Sequence, residues 1–136
     1  MAIRIERIDH VVLTVRDIRA TCDFYRDVLG FEVVRFGEGR VALTFGGQKF
    51  NLHEAGNEFT PRARNPVPGS ADFCLIADTP IEDVIAHLKA CHVAVEQGPV
   101  AKTGAVGALV AVYFRDPDTI WWRYRTMGCR TIRGEA

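Results

Sequence analysis

The chain predicts an α+β fold in which two βαβββ modules combine into a cup-shaped mixed sheet, and three observations carry that prediction. A period-two apolar strand, Asp9–Val15, runs directly into an amphipathic helical pattern that stops at Gly30. A second strand-then-helix pattern begins at Ala71. The two patterns keep one spacing, with Asp72 lying 62 positions after His10 and Thr79 lying 62 after Asp17. A single domain is expected over 1–136, with module 1 at about 5–56, a linker at about 57–70, module 2 at about 71–125 and a tail at 126–136.

In the first strand His10, Val12 and Thr14 share one face while Val11, Leu13 and Val15 line the other. Asp17 is the expected helix N-cap, and Ile18, Cys22, Tyr25, Val28 and Leu29 recur at helical spacing. Phe31–Phe36, Arg40–Phe45 and Lys49–Glu54 read as three short strands, separated by Gly37, Gly39, Gly46 and Gly47. Pro61, Pro66, Pro68 and Gly69 then make 55–70 a loop.

The second module opens with an Ala71–Ala77 strand. Thr79-Pro80-Ile81-Glu82 follows as an expected N-cap, a proline at the first helical position and a capping-box glutamate. Ile81, Val84, Ile85 and Leu88 form that helix's apolar stripe, and Val93–Glu96, Ala108–Arg115 and Ile120–Tyr124 are its remaining strands. Each sheet is expected to be covered on one face by its own helix, so that the two open faces join in a cup with room for a small molecule.

Charge narrows the partners. Seventeen basic and seventeen acidic residues give zero formal charge, so no long-range field recruits nucleic acid or an anionic membrane. No apolar run reaches the ~20 residues of a membrane span. Cys22, Cys74, Cys91 and Cys129 stand far apart with no C-x-x-C pair, and no signal-peptide pattern opens the sequence, so a cytoplasmic location is expected.

Chemistry points first to His10 and His53. Both alternate onto the non-core face of their strands, and two neutral imidazoles facing one concavity suit a divalent metal such as Fe, Ni, Zn or Mn. Asp72, at the repeat-equivalent position of His10, is the carboxylate that can join them. The plainer alternatives are a hydrogen-bonded packing role for each histidine and a turn-capping role for Asp72 after Gly69-Ser70. His87 and His92 lie on or just past the second helix and read as surface. Arg40, Arg62, Arg64, Lys102 and Arg115 can either contact an anionic substrate or remain solvated.

His10-Val11-Val12-Leu13-Thr14-Val15, Phe24-Tyr25 with Leu29-Gly30-Phe31, Asn51-Leu52-His53 and Tyr113-Phe114-Arg115-Asp116-Pro117-Asp118 resemble the vicinal oxygen chelate superfamily of glyoxalases, bleomycin-resistance proteins and extradiol dioxygenases. The likeness spans almost the whole chain and is nearest to the short glyoxalase-domain proteins. It implies a divalent-metal enzyme, a glyoxalase-like lyase or an extradiol-type dioxygenase, acting on a small substrate with vicinal oxygens. Its implied ligands here are His10, His53 and Asp72. Exposed module edges favour pairing, so a symmetric homodimer is expected, with each cup built within one chain or between two. The alternative it offers is a metal-free module that binds an aromatic or cationic small molecule, in the manner of bleomycin-resistance proteins.

One segment departs from that pattern. Relatives usually continue Gly-Asn-Leu-Ile-Glu after the Asp-Pro-Asp motif, whereas this chain continues Thr119-Ile120-Trp121-Trp122-Arg123, with a fixed cation in place of a ligand glutamate. Codons for Trp121–Met127, regrouped by one nucleotide, can encode Leu-Val-Glu-Val-Ser-Asn-Tyr and return a glutamate at position 123. A single-base frame shift near Thr119 is therefore expected, with a disordered, out-of-frame tail. The alternative is a divergent last strand packed by Trp121, Trp122 and Tyr124.

Overall fold

The computed structural model describes the backbone of residues 1–127 and the side chains of residues 1–120. The chain divides into two units, the second beginning at Ala71. Each holds one four-stranded sheet and one helix, the α+β pattern expected from the repeat.

The first unit runs β1 (His10–Val15), α1 (Ile18–Asp27), β2 (Glu32–Phe36), β3 (Arg40–Phe45) and β4 (Gln48–Glu54), with sheet order β1-β4-β3-β2. β1 and β4 pair in parallel and the other neighbours antiparallel. Helix α1 starts where the sequence places it, because Asp17 Oδ1 accepts the Ala20 N–H at 2.9 Å and satisfies one orphan donor of the first turn. It ends as Gly30 takes φ 71°, and the Phe31 N–H turns back to the Tyr25 carbonyl at 2.9 Å. Tyr25, Val15, Leu43 and Leu52 are buried, and Phe31 stacks on Phe45 with centroids 4.5 Å apart. This core occupies one sheet face and leaves the other, with His10, Val12 and Thr14, on the opposite side.

The second unit repeats the order: β5 (Asp72–Ala77), α2 (Ile81–Ala90), β6 (Gln97–Gly104), β7 (Gly107–Arg115) and β8 (Trp121–Met127), arranged β5-β8-β7-β6. Val84, Leu88, Ala111, Val112 and Phe114 are buried in it. Two expectations shift here. Pro80, in an extended conformation, is the N-cap of α2 and Thr79 is not, so no side chain caps this helix. Glu82 and Asp83 in its first turn complement the helix dipole instead.

The strand expected at Val93–Glu96 lies further along, at Gln97–Gly104. Gly98-Pro99 looks like a turn in the sequence, yet it sits where the β6–β7 register shifts between Gln97 and Val100. Gly98, at φ 104°, lies so close to β7 that a Cβ would run into the Ala111 carbonyl oxygen, and only glycine lets this edge strand continue through the irregularity.

Between β7 and β8, Asp116 Oδ1 accepts the backbone N–H groups of Asp118 at 2.9 Å and Ile120 at 2.8 Å. Within this turn Thr119 takes φ 65°, a left-handed conformation that a β-branched residue adopts under strain. It is the position where the resembled pattern has glycine. Strand β8 extends two residues into the expected tail, and the rest of that tail, 128–136, lies outside the described residues. Among the described residues no helix is long and apolar enough to cross a membrane.

Candidate functional site

His10 is the first residue of β1 and its side chain is 43 % exposed. Its Nδ1 lies 2.8 Å from Asp9 Oδ1. The hydrogen bond from His10 holds the Asp9 carboxyl below its ordinary pKa, so this carboxylate is an acceptor and the Nδ1 proton belongs to the imidazole. In the neutral ring the Nε2 lone pair is then available, and the Asp9 carboxylate fixes both tautomer and ring orientation.

The β1–β4 ladder sets what else stands near His10. His10 pairs with Lys49, Val12 with Asn51 and Thr14 with His53, all on one face. Asn51 therefore lies about 7 Å along the strands from His10 and His53 about 13 Å, at ~3.3 Å per residue. Two imidazoles binding one metal at about 2 Å each do not span that second distance while pointing the same way. Within one chain the register does not bring His53 to His10. It brings Asn51, whose Oδ1 is buried with no hydrogen-bond partner among the described residues.

The second unit shows the same arrangement in its backbone. Asp72 pairs with Trp121 and Cys74 with Arg123, as His10 pairs with Lys49 and Val12 with Asn51. Asp72 thus occupies His10's place in its own sheet, as the repeat spacing implied. Arg123 occupies Asn51's place, and Tyr113 is its neighbour on β7. Asp72 is exposed at the start of β5. Among the described residues no group of three or more His, Cys, Asp or Glu side chains gathers.

His53 belongs to different surroundings. It is 5 % exposed at the end of β4, and the Phe59 ring from loop 55–70 meets it edge-on at 5.5 Å. Burial, and then the Arg40 guanidinium, push its pKa below the ordinary histidine value, so the ring is neutral at pH 7. Its Nδ1 is buried without a partner among the described residues.

Asp9 and Asn51 are the site residues that sequence reasoning missed. Alternation of apolar and polar residues assigns a face to each strand residue but not its height against the neighbouring strand. The 62-residue spacing does not supply it, because it carries Asn51 to Tyr113; only the two ladder registers match Asn51 with Arg123.

The sequence profile of the Glyoxalase/Bleomycin resistance protein/Dioxygenase superfamily matches residues 7–124. Virulence protein STM3117 of Salmonella typhimurium is 52 % identical over 114 residues, 84 % of this chain and 79 % of that protein. Metallothiol transferase FosB of Staphylococcus epidermidis is 28 % identical over 114 residues, 84 % of this chain and 78 % of that protein. Among solved structures, integron cassette protein VCH_CASS1 from the mobile metagenome of V. cholerae superposes with a TM-score of 0.92 at 48 % identity, covering 94 % of this chain and 100 % of that one.

Proposed function

We propose, since the chain belongs to the glyoxalase/bleomycin resistance protein/dioxygenase superfamily, that it is a divalent-metal-dependent enzyme acting on a small substrate with vicinal oxygens. The observation that carries this reading is His10 itself, an exposed imidazole whose Nδ1 is tied to Asp9 and whose Nε2 is left as a donor to metal. His10 and Asp72 are the proposed ligands, with Asn51 Oδ1 as a further oxygen on His10's sheet face. A nitrogen and oxygen donor set of this kind suits Fe, Ni, Zn or Mn. When bound, the metal supplies Lewis-acid polarisation of substrate oxygens. Asp9 orients the imidazole and holds its Nδ1 proton. His53, the third ligand expected from sequence, stands outside this donor set. The free thiols of Cys22 and Cys91 accord with a reducing cytoplasm, and the proposed assembly is a homodimer.

A second reading rests on Arg123, which stands at the register position of Asn51. A guanidinium never deprotonates and opposes a metal beside it, which favours a metal-free binding module. One set of measurements separates the readings. Protein purified without chelators is assayed for bound metal and titrated with Zn²⁺ and Mn²⁺, alongside His10→Ala, Asp72→Asn and Arg123→Glu. The enzyme reading expects loss of metal in the first two variants and a gain of about tenfold or more in affinity in the third. Metal binding that is absent from wild type and Arg123→Glu alike refutes it. Sequencing the coding DNA tests the frame shift, because codons incompatible with Leu-Val-Glu-Val in the shifted frame remove it.

A further inference from the structure

The first unit carries a second polar cluster, which metal binding does not use. Carried one residue past the Val41–Leu52 pair, the β3–β4 ladder brings Arg40 opposite His53. Phe59 joins them, with its ring 5.5 Å from the His53 ring and its centroid 4.5 Å from Arg40 Cζ. The loop presenting Phe59 is fixed at several points. Glu58 Oε2 accepts from Arg62 at 2.8 Å, Glu58 Oε1 accepts the Gly56 N–H at 3.1 Å, and the Asn57 N–H donates to the Glu54 carbonyl at 2.9 Å.

Two features of the cluster have no explanation in the fold. Glu58 is the cluster's carboxylate and it is committed to Arg62, so among the described residues Arg40 has a cation–π contact but no ion pair or hydrogen bond. His53 is nine-tenths buried with one nitrogen unsatisfied. A buried bare lone pair costs less than a buried bare N–H, which puts the proton of the neutral ring on Nε2. That nitrogen is neither sealed nor hydrogen-bonded among the described residues. A guanidinium without a counter-ion and an N–H donor against one aromatic wall are the elements of an anion site.

We propose that Arg40, the His53 Nε2–H and Phe59 form a subsite for an oxyanion, a carboxylate or phosphate group, about 13 Å along the strands from His10. The substrate is then a molecule with vicinal oxygens at one end and an acid at the other. That last step rests on the metal reading of His10, whereas oxyanion binding at Arg40 does not.

The test uses the metal-free full chain. Inorganic phosphate and acetate are titrated separately while the imidazole ¹⁵N resonances are followed, with chloride at matched ionic strength as control. The His53 resonances shift saturably with phosphate, acetate or both, and those of His87 and His92 follow the chloride control. Saturation by phosphate alone assigns a phosphate-bearing substrate, and by acetate alone a carboxylic acid. Arg40→Gln weakens binding by about tenfold or more, and Arg40→Lys, which keeps the charge but loses the planar fork, by less. His10→Ala leaves it unchanged. His53 resonances in wild type that follow only the chloride control overturn the proposal, as does unchanged affinity in a folded Arg40→Gln protein. Metal titration in parallel keeps the two readings apart: anion binding without metal binding removes the metal reading alone, and the converse removes this subsite alone.

Discussion

Replacing Asp9 by alanine separates orientation of His10 from stability of the fold. The Asp9 side chain is 75 % exposed and that of His10 is 43 % exposed, so their pairing is largely screened by solvent. Its loss moves the melting temperature by about 2 °C or less in a chain of this size. Metal affinity responds differently, because a carboxylate behind a ligating imidazole fixes the nitrogen that faces the metal, and removing such a partner costs about 10–100-fold. Asp9→Asn keeps an acceptor oxygen without the charge and falls between wild type and Asp9→Ala. The assay is a calorimetric titration with Zn²⁺ and Mn²⁺ at neutral pH, paired with a thermal melt of each variant. In a His10→Ala background the Asp9 substitution has nothing left to orient, so it produces no further loss. Undiminished affinity in Asp9→Ala, or an equal loss in both backgrounds, refutes the orienting role.

Thr119→Gly relieves the left-handed strain at φ 65° and stabilises the chain by about 1 kcal/mol after the glycine entropy cost, measured by denaturant unfolding. A stability loss would show that Thr119 makes compensating contacts. Glu58 is held below its ordinary carboxyl pKa first by backbone N–H bonds and further by Arg62, and its side chain is 8 % exposed. The folded state binds the proton less readily than the unfolded chain, so this stabilisation is present above the unfolded pKa of 4.5 and fades as pH falls through the lower folded value. Glu58→Gln therefore melts earlier than wild type at neutral pH, and the gap narrows as the pH falls below the unfolded value. A gap independent of pH would refute the assignment.

Much of the fold was legible because its signals are local. Period-two alternation in Asp9–Val15 and the Asp17 cap depend on neighbours in sequence, and the 62-residue repeat is a comparison of two such local patterns. The site was less legible because it depends on pairing between β1 and β4, strands separated by a helix and two further strands. Alternation correctly put His10 and His53 on one face, but only the ladder shows them four residues apart in height. Asp9 read as the ordinary first residue of the strand, since its role comes from the rotamer of His10. The early placement of β6 had a similar cause: Gly98-Pro99 signals a turn locally, and its place in an edge strand depends on the approach of Ala111. Arg40 was visible as one basic residue among several, and its contact with Phe59 distinguishes it.

The parallel pairing of first and last strands has an evolutionary consequence. From His10 to its partner Lys49 the chain takes 39 residues, and from Asp72 to its partner Trp121 it takes 49, yet each pair sits side by side in its sheet. Much of the difference lies in the intervening hairpin, whose strands have 8 and 9 residues in the second unit against 5 and 6 in the first. Length added there leaves the relative positions of the first and last strands intact. Such a scaffold can acquire insertions in the hairpin while conserving the address of each side chain on the paired first and last strands, a freedom that a surface assembled from consecutive loops does not have.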